Sequence, residues 1–151
     1  MGKFGSLVGS DKPFRTFLKL DGKQIVSKDD KPAYIDIYAD DSAAGRRFDK
    51  EWRDHIQALA KDGKEMPTQE EQRIAKCAAL TAGWYLVDPE KLEQIEEPCT
   101  RENALELYSL PMAAWIWVQP WIDAVNPGNF IKRSAKGSMS TQSGPSETTE
   151  G

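Results

Sequence analysis

The sequence predicts an α+β fold: a small N-terminal antiparallel β-meander packed on a mainly helical body, with a disordered C-terminal tail. Three observations carry this expectation. Aromatic and branched residues cluster in short runs before position 40. Capped segments with helical apolar spacing follow from Ser42 onward. From Ser134 to the end, only Ala135 and Met139 are apolar. The boundaries read from this pattern are a flexible N-terminus over 1–12, one α+β domain over 13–133 and a tail over 134–151. A chain of 151 residues suits one domain and can bury a sizeable core without disulfides or metal.

The strands come first. "FRTFLKL" is followed by Asp21-Gly22, a favoured hairpin turn, and then by "KQIVSK". After the polar break "DDKP", Ala33, Ile35 and Ile37 alternate with Tyr34, Asp36 and Tyr38, as on a strand with one buried face. These three runs form the predicted meander, whose apolar face needs a cover.

The helices supply it. Ser42 caps a segment in which Phe48, Trp52, Ile56 and Leu59 recur at helical spacing until Gly63. Thr68 and Glu71 form a capping box for the next helix. Its face of Ile74, Cys77, Ala78, Thr81, Trp84 and Tyr85 predicts a helix over 68–87, with Ile74 and Trp84 in the core. Residues 88–106 are acidic: Asp88, Glu90, Glu93, Glu96, Glu97, Glu102 and Glu106 stand against Lys91 and Arg101. This stretch reads as a solvated connection with one helical turn after Pro89, and Thr100 caps a further helix, "RENALELY". The tail cannot offset its ordering entropy, so deleting 136–151 should leave stability unchanged.

The segment "WIWVQPWIDA", residues 115–124, holds three tryptophans in seven positions. Pro111 suits a first helical turn, and Pro120, which crowds the carbonyl of Ile116, should kink or restart the helix. Met112, Trp115 and Ile116 share one face, continued by Ile122. Trp117 and Trp121 lie four apart on another. One stripe serves a core, and two exceed what one stripe needs. Two readings stay open: both faces are buried within the domain, or one, with Trp117 or Trp121 exposed, awaits a partner.

Composition narrows the function. Hydrophobic residues make up 39% and charged residues 29%, and the net charge is −4 with a pI near 5.1. Phosphate binding needs a basic face, so nucleic acid is not the expected partner. The run Leu110–Val125 is broken by Gln119, Pro120 and Asp123, so no membrane span is expected. The N-terminus lacks the apolar stretch of a signal peptide, although Gly2 and Ser6 match the short myristoylation pattern. Cys77 and Cys99 form no CxxC and read as free thiols in a reducing compartment.

No catalytic constellation stands out. His55, the single histidine, lies beside the Trp52–Ile56 face and reads as a surface residue. One histidine and two separated cysteines do not build a zinc site, and there is no phosphate loop or GxSxG. In "RRFDKEWR", Asp49 and Glu51 interrupt the basic residues Arg46, Arg47, Lys50 and Arg53, as on a solvated helix face. A binding protein without cofactors is the reading that remains.

Several short motifs are similar to those of one family. "AYIDIYADDS", an amphipathic helix, Gly83-Trp84, Glu102-Asn103-Ala104, Trp115-Ile116, Gln119 and Asn129-Phe130 follow one another over residues 33–133. This succession resembles the tail assembly chaperones of long-tailed bacteriophages, and Pro120 departs from the continuous helix usual there. The resemblance implies a non-catalytic protein of the host bacterial cytoplasm that binds helices of the tape-measure protein. It also implies a longer form, made by ribosomal frameshifting, that recruits tail-tube subunits; a slippery heptamer can be encoded at Ala135-Lys136-Gly137. With the excess apolar face, it assigns partner contact to Trp115, Trp117, Trp121, Ile122 and Phe130, and self-association is a further expectation. A structural phage protein retained in the virion, such as a head–tail connector or tail completion component, is the alternative. A host-directed enzyme or enzyme inhibitor, whose acidic stretch would mimic nucleic acid, is a third.

Overall fold

A computed structural model describes residues 3–131. The four strands of the main sheet are β1 (Phe14–Phe17), β4 (Tyr34–Ile37), β5 (Thr81–Val87) and β6 (Gln94–Ile95), in the order β1-β4-β5-β6. All neighbours run antiparallel. A separate hairpin joins β2 (Lys19–Leu20) and β3 (Lys23–Gln24). Four α-helices, α1 (Ala43–Lys61), α2 (Gln69–Leu80), α3 (Arg101–Tyr108) and α4 (Ala114–Ala124), and two single 3-10 turns (Gly5–Leu7 and Pro127–Asn129) complete the described chain. The α+β class expected from the sequence is the one observed.

Two details of the sheet differ from the predicted meander. The hairpin turns at Asp21-Gly22, both with positive φ (55° and 78°), as a two-residue type I′ turn requires. That hairpin is a side branch, however, and β1 pairs directly with β4, Thr16 opposite Ile35. The second difference concerns residues 81–87. Helix α2 ends at Leu80, and "TAGWYLV" is a strand beside β4, not the last turns of a helix. Apolar residues at helical spacing continue through Trp84, but a short apolar run around a glycine fits either geometry. Pairing decides the matter here, because β4 needs a neighbour on its open side.

Alternation sorts the sheet into two faces. Ile35 and Ile37 point into the core and are fully buried. On the other face, Arg15 makes a two-pronged bond to Asp36 (2.9 and 3.2 Å) with its guanidinium 3.6 Å from the centre of the Tyr34 ring. Tyr34 in turn stacks on Tyr85.

The helices are fixed by their caps. The Ser42 hydroxyl accepts from Gly45 N–H, and Thr68 and Glu71 form the full capping box. Thr100 caps α3 through Asn103 N–H. After Pro89 a single turn closes, with Leu92 N–H donating to the Asp88 carbonyl. Between α2 and α3, Tyr108 lies wholly buried, its hydroxyl 2.8 Å from Thr81 Oγ1, which donates to the Cys77 carbonyl. Each hydroxyl therefore has a partner, as burial demands.

One charge lies inside this frame. Lys76 of α2 is buried, with its ammonium 2.6 Å from Asp40 and 2.9 Å from Asp49. It joins α2 to α1 and to the β4–α1 junction. Burial acts to lower its pKa, but the bonds to Asp40 and Asp49 outweigh burial and raise it above the ordinary lysine value. Beside it, Gly45 passes so close to the Asp40 carbonyl that a β-carbon would lie 1.9 Å from the oxygen.

Two outcomes follow from this junction. Gly45→Ala should cost about 1–3 kcal/mol by overpacking, read from the urea midpoint. A lysine pKa raised on folding adds stability below the unfolded value of about 10.4 and loses it as pH rises through the folded value. The urea midpoint should therefore fall more steeply in alkali for the native chain than for Lys76→Met.

Candidate functional site

The tryptophan-bearing helix touches β1, β4, α2 and α3, so it is enclosed on several sides. It begins at Ala114 rather than at Pro111, after a turn in which Met112 adopts a left-handed backbone (φ 65°) and is 91% exposed. Of the kink or restart expected at Pro120, the restart does not occur: one helix runs through the proline. Gln119 supports the turn ahead of the proline, because its side-chain nitrogen donates to the Trp115 carbonyl at 2.6 Å. The same amide pairs with the backbone of Lys19: its oxygen accepts from Lys19 N–H at 2.8 Å and its nitrogen donates to Lys19 O at 2.9 Å. One turn later, Asp123 accepts from the Thr16 hydroxyl at 2.6 Å. Pro120 itself is fully buried.

This enclosure corrects the expected contact set. Trp117 and Phe130 are each only 6% exposed and have no face to offer a partner. Phe130 meets the edge of the Phe14 ring, and the Trp117 carbonyl accepts from the Cys77 thiol. Trp115 and Trp121 are half-buried against the core, as are Ile74 and Trp84. Ile122 alone of the five stands clear, 58% exposed. Members of both stripes reach the core, Trp115 and Ile116 from one and Trp117 and Trp121 from the other, while Met112 and Ile122 at the ends of the first stay exposed.

What remains open lies just past Ile122. The C-terminal end of α4, the segment after β4 and the residues before β1 surround a groove of about 660 Å³. Its apolar lining includes Leu7, Val8, Val125 and Ile131, all exposed, with buried Phe130 beneath. Arg46 and Asp41 stand at its polar side. Two backbone bonds hold the walls together: Ser10 N–H donates to Phe130 O at 2.6 Å, and Asp40 N–H to Ala124 O at 2.9 Å. Ser10, within the N-terminal stretch expected to be flexible, is thus bonded to the segment after α4. Sequence reasoning missed Leu7, Val8 and Val125 because nothing in a polar, glycine-containing N-terminus signals where it docks.

Among the described residues, neither histidine nor cysteine lines this groove; its polar groups are Ser10, Asp11, Asp40, Asp41, Ser42 and Arg46. His55 is exposed on α1, packed beside Trp52. Burial pushes the Cys77 thiol well above its ordinary pKa, which keeps the nucleophilic thiolate form scarce. Among the described residues no group of three His, Cys, Asp or Glu side chains could hold a metal ion, and no helix is long and apolar enough to cross a membrane.

The burial contrast within α4 predicts a contrast in stability. Trp117→Ala should cost about 3–5 kcal/mol, as for a large core aromatic, whereas Ile122→Ala should change the urea midpoint by less than about 0.5 kcal/mol. Equal costs would mean that Ile122 is covered in the folded chain. No known protein family matches the chain, and no curated protein or solved structure matches it either.

Proposed function

We propose that this chain is a tail assembly chaperone of a long-tailed bacteriophage, a non-catalytic protein that covers apolar helical surface of the tape-measure protein until the tail forms. The observation that supports this reading is the groove beyond α4, where Leu7, Val8, Val125 and Ile131 are exposed together. Exposed apolar residues gathered in one place favour a partner, and an amphipathic helix lays its apolar face into such a groove. In the contact set, the buried Trp117 and Phe130 give way to Leu7, Val8, Val125 and Ile131 of the groove, with Ile122 beside it. The motif resemblance over residues 33–133 is the second support. The slippery heptamer that Ala135-Lys136-Gly137 can encode, and the tail that contains it, lie outside the described residues.

Co-expression tests the proposal. A tape-measure protein encoded beside this chain should stay in the supernatant when the two are made together and sediment when made alone. Ile122→Glu with Val125→Glu should abolish the rescue while leaving the circular dichroism spectrum unchanged. Rescue that survives the double substitution would remove the groove from the reading. Recovery of this chain in purified particles would replace the chaperone by a structural component.

A further inference from the structure

A second groove shares no lining residue with the first. It lies between α3 and the β5–β6 edge, encloses about 290 Å³, and is lined by Trp84, Leu86, Ile95, Asn103, Leu107 and Leu110 together with Glu97 and Glu106. We propose that it binds a basic amphipathic segment of a partner protein, apolar side chains on the floor and lysine or arginine at the rim. This does not rest on the tail-chaperone reading.

The floor is apolar and partly open to solvent: Ile95 is 42% and Leu110 52% exposed. Four residues of α3 and its C-terminal end, Asn103, Glu106, Leu107 and Leu110, recur at helical spacing and present one continuous wall. The opposite wall is fixed by two bonds that need no rearrangement on binding. Trp84 Nε1 donates to the Glu97 carbonyl at 2.8 Å, and Asn103 Nδ2 donates to the Pro98 carbonyl at 2.9 Å. A wall already held in place spares a ligand the entropy of ordering it. At about 290 Å³ the groove has room for a few side chains of a longer segment.

The rim decides the sign of the partner. Glu97 and Glu106 line the groove, Glu96 adjoins the first, and Glu102 lies one helical turn from the second. All four are exposed, and among the described residues none is in a salt bridge. The nearby basic residue of α3, Arg101, is already engaged by Glu51 at 3.1 Å. Carboxylates around an apolar floor favour a cationic amphipathic segment and repel an anionic one, which is discrimination by charge as well as by shape.

Titration with two labelled synthetic helices, one of leucine and lysine and one of leucine and glutamate with the same spacing, tests this. The lysine peptide should bind and the glutamate peptide should not. Glu102→Gln with Glu106→Gln should weaken binding roughly 2- to 30-fold, from two exposed charge pairs, and Leu110→Ser should weaken it several-fold. A control with the same change of net charge, Asp54→Asn with Glu65→Gln, should bind as the native chain does. Ile122→Glu with Val125→Glu should also bind normally, which separates this site from the groove beyond α4. Absence of binding by the lysine peptide, equal binding of both peptides, or equal losses in groove and control variants would each overturn the assignment.

Discussion

Helix α4 is apolar on almost every side, and a helix of that kind has to be surrounded. The arrangement of the rest follows from this requirement. The sheet cannot sit on α4 alone, because β1 and β4 cover only one flank; α2 and α3 cover others. The polar residues that interrupt the apolar run are placed where they do not break the enclosure. Gln119 and Asp123 turn toward the first strand region and bond there, and Pro120 is buried within the helix. Tryptophans that look excessive for a surface helix are ordinary for a central one.

The parts of the fold that announce themselves in the sequence are those fixed by neighbours in the chain. Ser42, Thr68 with Glu71, and Thr100 mark helix starts because a cap bonds within three residues of itself. Asp21-Gly22 marks its hairpin for the same local reason. Residues 81–87 were not legible as a strand, because their apolar positions fit a continued helix and only the pairing with β4 settles them. The direct pairing of β1 with β4, across a side hairpin, is likewise a long-range fact. The aromatic and branched content of "TAGWYLV", and its central Gly83, were the signals available.

The candidate site was less legible than the fold. Large aromatics drew attention to α4, yet their size is what makes the core claim them. Trp117 and Phe130 went inside, while modest residues such as Leu7, Val8 and Val125 were left out. Their exposure depends on where a polar N-terminal segment docks, through Ser10 onto Phe130, and no periodicity encodes that. The acidic rim of the other groove was visible as composition between residues 88 and 106. Its apolar floor was not, since Trp84, Ile95 and Leu110 meet only after the chain has folded.

The clasp of Gln119 on Lys19 spans 100 positions, and that of Asp123 on Thr16 spans 107. During synthesis at about 5–20 residues per second, the first strand is therefore complete roughly 5–20 s before its helical cover has been made. For most of that interval the nascent strand carries Ile35 and Ile37 with no α4 to shield them. The growing polypeptide is thus exposed to misassociation on the ribosome, and a chain interrupted before α4 would be matter for proteolysis rather than a smaller working unit.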